Sequence, residues 1–176
     1  MDIYLAGPDV FFAEAVTLGA AKKALCARYG FRGHYPFDNE IELSATPACG
    51  YRISYLNEEL IARCDAVIAN LTPFRGVSAD TGTVFEIGYA AGLGKAVHGY
   101  SCDPRRYRER VAAADASMQG DLDSLGHVVE DFGLGDNLMI EGAIHRRDGI
   151  FIAAAGNNLD LFERVLQKLA ERGRSA

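Results

Sequence analysis

Short apolar runs alternate along the chain with longer stretches of helical periodicity. Asp2–Ala6 reads as a first strand, and Gly7-Pro8 as the turn that follows it. Asp9 is placed to cap a helix over Phe11–Tyr29, with Phe12, Ala15, Val16, Leu18, Ala21, Ala24 and Leu25 facing inward and Gly30 as its stop. Phe31–Tyr35 is a short strand leading into the polar loop Pro36–Glu40. Glu42–Gly50 is irregular, with Pro47 and Gly50 as breakers, and Tyr51–Arg63 is helical. Ala66–Leu71 is uniformly apolar, as a strand buried on both faces should be.

After that strand come the loop Thr72–Gly82, a small-residue helix closed by Gly94-Lys95, and a fourth strand over Ala96–Ser101. Arg105–Met118 fits a charged surface helix, Gln119–Gly126 a loop, and His127–Phe132 is ambiguous. Asp136–Gly142 reads as a loop entering a short helix and Gly149–Ala153 as a fifth strand. Asn157–Glu171 is a final amphipathic helix burying Leu159, Phe162, Val165, Leu166 and Leu169, capped by Asn157 or Asn158 and ended by Gly173. Strands alternating with helices predict an α/β fold: a flavodoxin-like open parallel sheet of about five strands with helices on both faces. At 176 residues a single domain over 1–176 is expected.

Composition narrows the functional classes. A net charge of -6 argues against a nucleic-acid partner, which needs a basic face. No apolar run approaches a membrane span, and Met1-Asp2-Ile3-Tyr4 has no basic n-region, so a cytoplasmic protein is expected. The 4 cysteines and 4 histidines lack ligand spacing, so no metal site is expected. Gly7-Pro8-Asp9 follows the first strand where a dinucleotide fingerprint would need G-x-G-x-x-G, and no P-loop lysine is present.

Ser78–Gly92 concentrates the candidate chemistry, with Asp80 in the loop and Glu86 in the first turns of the helix. In open α/β sheets the ligand crevice lies outside the carboxyl ends of the strands, where this loop belongs. Glu86 admits two readings. Thr83-Val84-Phe85-Glu86 matches a capping box, in which Glu86 bonds its own helix. Alternatively Glu86 is a nucleophilic or general-base carboxylate, kept ionised by the helix N-terminus.

Four pieces in order, Ile3-Tyr4-Leu5-Ala6-Gly7-Pro8, Asp65, the Asp80/Glu86 pair and Asp136-Asn137-Leu138-Met139, resemble the nucleoside 2-deoxyribosyltransferase family. The resemblance implies cofactor-free exchange of the base on a 2'-deoxynucleoside through a covalent deoxyribosyl-glutamate, with two inversions giving net retention. By the same resemblance Glu86 is the nucleophile, Tyr4 hydrogen-bonds it, and Asp80 holds the sugar hydroxyls. Gly7 belongs to the substrate-binding set. Asn137, from a neighbouring subunit, binds the 5'-hydroxyl with Met139 beside it, which implies a homo-oligomer.

Tyr4 also fits plain core packing, Asp80 an Asx-type turn, Asn137 a helix cap and Met139 interface filler. Asp65 fits the turn between helix and strand. Asn57 stands where some members carry an aspartate, and Asn39 and Glu40 stand where one branch has an asparagine and a glutamine, so either a different base preference or a loop shifted away from the base is expected. Phe11, Phe12 and Phe37 are stacking candidates for the base. Two rival functions stay open: a hydrolase of deoxynucleosides or their 5'-monophosphates, with Arg75 and Ser78 available to a phosphate, and a non-catalytic nucleoside sensor.

Overall fold

The computed structural model describes residues 1–39 and 44–175. Five parallel strands, β1 (Asp2–Ala6), β2 (Arg32–His34), β3 (Ala66–Asn70), β4 (Ala96–Ser101) and β5 (Phe151–Ala153), form one sheet in the order β2-β1-β3-β4-β5. This is the doubly wound flavodoxin-like order, and its switch point lies between β1 and β3. Among the described residues, six α-helices cover the faces: α1 (Ala15–Arg28), α2 (Pro47–Arg63), α3 (Thr81–Gly92), α4 (Tyr107–Ala114), α5 (Leu138–His145) and α6 (Asn158–Ser175).

Alternation along β1 divides the core into two layers. Ile3 and Leu5 face α1 and α6 with Ile68, Phe162 and Leu166, whereas Tyr4 and Ala6 face the other side with Val67, Ile61, Ile87 and Ile144. β3 is buried at every position, as its unbroken apolar run requires. Asp65 accepts the Asp2 amide at 2.7 Å, which joins the end of α2 to the start of the sheet.

Several element ends differ from expectation, each for a local reason. Pro47 is no breaker but opens α2 at its first turn, where its missing N–H costs nothing, and Thr46 caps the helix by accepting the Cys49 amide. α1 begins at Ala15 rather than Phe11, because Pro8–Phe11 coils into a one-turn 3-10 helix. Asp9 does not cap α1. Its carboxylate is buried against Lys22, which lies on the inner face of α1 with Ala15, Gly19 and Cys26. A buried lysine on that stripe rotates the inward face away from Val16 and Ala24, both exposed. Gly30, at φ 82, ends α1 as read, whereas α6 runs on through Gly173 to Ser175. Asn157 caps α6 through the Asp160 amide, which frees Asn158 for other bonds.

Candidate active site

The loop after β1 and the loop after β3 part at the switch point, and a cavity of about 680 Å³ opens there. Its volume is in the usual range for small-molecule sites, about 300–1,000 Å³. Gly7 lines it from the end of β1, Phe37 and Asn39 from the loop after β2, Asn57 from α2, and Asp80 and Glu86 from α3. Gly7 is required by geometry: its φ is 151°, and a Cβ there would stand 2.8 Å from the Asn70 Cβ.

Inside the cavity the capping-box reading of Glu86 fails. α3 starts at Thr81, so Thr83 lies within the helix, and Asp80 is the cap, its Oδ2 accepting from the Thr83 amide at 2.9 Å and hydroxyl at 3.0 Å. Glu86 reaches across to the sheet instead, where its Oε1 accepts the Tyr4 hydroxyl at 2.5 Å. Among the described residues no side chain or amide donates to Glu86 Oε2 or to Asp80 Oδ1. Among the described residues, each carboxylate therefore has one oxygen held by the protein and one without a protein donor.

Burial, opposed by the Tyr4 hydroxyl and aided by the nearby Asp80 charge, pushes the Glu86 carboxyl up to about 7. A carboxylate held ionised by its helix terminus alone does not describe this group; desolvation is the larger effect. The Tyr4 phenol is itself raised, by burial first and then by Glu86, so it stays a donor at neutral pH.

At the far side of the cavity Asn39 Nδ2 donates to Asn57 Oδ1 at 3.3 Å. The two amides thus present a neutral edge with donors and acceptors to spare. Phe11 and Phe37 line the cavity and are half exposed, while Phe12 tilts against Phe74, 6.5 Å away, and is not among the lining residues. Phe11 stacks on Phe74 at 5.4 Å, joining the two loops across the switch point, with the Arg75 guanidinium 4.8 Å and 4.7 Å from the two ring centres. Glu40 lies outside the described residues.

Asn137 and Met139 are elsewhere. They line a second cavity of about 580 Å³ between α3 and α5, on the opposite side of α3 from Glu86. Asn137 caps α5, its Oδ1 accepting the Met139 amide at 3.0 Å, and Met139 is 72% exposed. Within one chain the structure does not bring this pair to Glu86.

Beneath the first loop lies a polar network that the sequence reading missed. Lys22 Nζ donates to Asp9 Oδ2 and, at 2.7 Å, to the Tyr100 hydroxyl, which donates to Asn158 Oδ1. Asp9 Oδ1 accepts from Asn70 at 2.8 Å and Asn158 at 2.6 Å. The only advance signal was a lysine at an inward position of α1. No cluster of His, Cys, Asp and Glu able to hold a metal occurs among the described residues.

Comparison with known proteins decides the family. The sequence profile described as nucleoside 2-deoxyribosyltransferase matches residues 3–139. The chain belongs to this family. A solved structure, the 2-desoxiribosyltransferase from Leishmania mexicana, is 33% identical, covers 97% of each chain and superposes with a TM-score of 0.68. An uncharacterized protein of Schizosaccharomyces pombe is 32% identical over 97% of this chain and 89% of its own length. A CMP N-glycosidase of Clostridium botulinum shares the fold at 16% identity and a TM-score of 0.52, covering 96% of this chain and 98% of its own. Family membership makes the protein an enzyme of the deoxyribosyltransferase type. Among the described residues no helix is long and apolar enough to cross a membrane.

Proposed function

We propose that the protein moves a 2-deoxyribosyl group from one nucleobase to another through an ester on Glu86. The observation that carries this is the Tyr4–Glu86 contact at the switch-point cavity, which fixes one carboxylate oxygen and leaves the other bare. Ionised Glu86 attacks the anomeric carbon with Oε2. The N-glycosidic bond breaks with its electron pair going to the departing base, and the deoxyribosyl ester forms. A second base then attacks the same carbon from the vacated side and the carboxylate leaves; the N–H proton that the incoming base loses balances the one the departed base takes up through solvent, and configuration is retained overall.

Tyr4 orients the nucleophile and steadies its charge, and Asp80 Oδ1 accepts from the sugar hydroxyls. Asn39 and Asn57 hydrogen-bond the base; neither has a proton to transfer at neutral pH, so the base is assisted there by hydrogen bonding rather than by a general acid. Gly7 lets the β1 loop approach the sugar closely. Phe11 and Phe37 supply the apolar walls that keep water from the ester.

A second copy of the chain completes the site in this reading. Asn137 and Met139 sit on an exposed, largely apolar face between α3 and α5, together with Leu138, Val84 and Ala91. Such a face presents Asn137 outward, to the 5'-hydroxyl in a neighbour's cavity, in a homo-oligomer.

The test is incubation of deoxyadenosine with and without cytosine, with products separated by chromatography. Transfer yields deoxycytidine only in the mixture. Free deoxyribose at the same rate in both arms would establish a hydrolase instead. In parallel, intact-protein mass spectrometry with a 2'-fluoro nucleoside should show one added sugar, and Glu86→Gln should show none. Binding without either product in the wild type would leave a sensor.

A further inference from the structure

The residues just before Asp80 are gripped by one buried ion pair outside the cavity. Arg110 of α4 and Asp136 ahead of α5 each have 3% of their side-chain surface exposed, and Nη2 stands 3.2 Å from Oδ2. Asp136 Oδ2 also accepts the Ala79 amide at 3.0 Å, and Oδ1 accepts the Ser78 hydroxyl and, at 2.8 Å, the Asn137 amide. Arg110 Nε donates to the Val77 carbonyl at 2.6 Å and Nη1 to the Arg105 carbonyl at 2.7 Å. Val77, Ser78 and Ala79 are thus each bonded to the pair, and the next residue is Asp80, the cap of α3.

A buried ion pair adds little net stability, because desolvating both charges offsets their attraction. What it does supply is direction. Every remaining bond of both groups goes to a specific backbone or hydroxyl group, so the loop fits in one place only. We infer that Arg110 and Asp136 are a positioning pair that sets the height of Asp80 and of the first turn of α3. Through the Asn137 amide, the same carboxylate ties the α5 cap to that point. The excursion between β4 and α5 thereby gains a role, since it carries Arg110. The inference rests on the proposed use of Asp80 in holding the sugar; neither Arg110 nor Asp136 lines the cavity.

Two measurements on the full chain test it. In deuterium exchange of the unliganded protein, Asp136→Asn should speed the amides of residues 79–84 at least tenfold while leaving those of β1, β3 and β4 unchanged. Unaltered exchange at 79–84 overturns the inference, whatever the enzyme's activity. In a double-mutant cycle on deoxyribosyl transfer, Asp136→Asn should lower kcat/KM tenfold or more in the wild type but less than twofold when Asp80 is already alanine. Equal losses in both backgrounds overturn it, since a merely structural defect would not depend on Asp80. If Asp136→Asn fails to fold, Ser78→Ala, which removes one donor from the same carboxylate, carries both measurements. An inactive wild type would sink the proposed function, and the exchange result would still decide the positioning role.

Discussion

Replacing Glu86 by glutamine should abolish turnover and yet make the protein more stable, by an amount that grows with pH. In the unfolded chain this carboxyl titrates near 4.5, whereas in the folded protein burial lifts it to about 7. Below pH 4.5 both states hold the proton, so wild type and variant differ least. Between pH 4.5 and 7 the folded state keeps a proton that the unfolded state has released, and wild-type stability falls as pH rises. Above 7 the carboxylate is charged in both states and the whole cost of burying it is felt. At about 1.4 kcal/mol per pH unit the difference reaches about 3 kcal/mol, reduced to about 2–3 kcal/mol by the water that still reaches the group. Glutamine has the same shape and cannot ionise, so it escapes this cost. Urea unfolding of both proteins at pH 5, 6, 7 and 8 gives the gap directly, and all other titrating groups cancel in the difference. A gap that stays flat from pH 5 to 8 would refute the reasoning, because Glu86 would then titrate alike in both states and the cavity would be wet.

Tyr4→Phe removes the one hydrogen bond that holds the Glu86 carboxyl down; such a bond to a charged group is worth about 1.5–3 kcal/mol. The acid limb of kcat/KM should move upward from its position near 7 by about one to two pH units, measured as a pH–rate profile. Gly7→Ala forces a Cβ against Asn70 at 2.8 Å with φ at 151°. A loss of about 1–3 kcal/mol in denaturant unfolding is expected, with a fall in activity. Lys22→Met leaves the Asp9 charge buried without its partner. It should cost about 3–5 kcal/mol, much of which Asp9→Asn in the same chain restores, as paired unfolding curves would show.

β3 was legible because burial on two faces writes itself as an apolar run, and β1 and β4 begin and end where the pattern puts them. Asp80 and Glu86 were legible as a site because they share one loop and helix. Their partnership with Tyr4 was not: it spans 82 residues, and no periodicity encodes it, so it came only from likeness to a family. Where polar residues turn inward, pattern reading fails in a characteristic way. The apolar pattern puts Val16 and Ala24 inward and passes over Lys22, and it gives Asp9 to the helix end when it belongs to that lysine. Arg110 looked like part of a charged surface, though the loop before Asp80 encloses it. Pro47 shows the converse error, a breaker residue sitting where a helix begins.

The bond between Asn158 and Asp9 joins residues 149 apart, near opposite ends of the sequence. The wall of the cavity at Gly7 and Val10 is therefore braced from α6, far away along the chain. Loosening α6 would thus reach the cavity wall through Asp9, although no described residue of α6 lines the cavity.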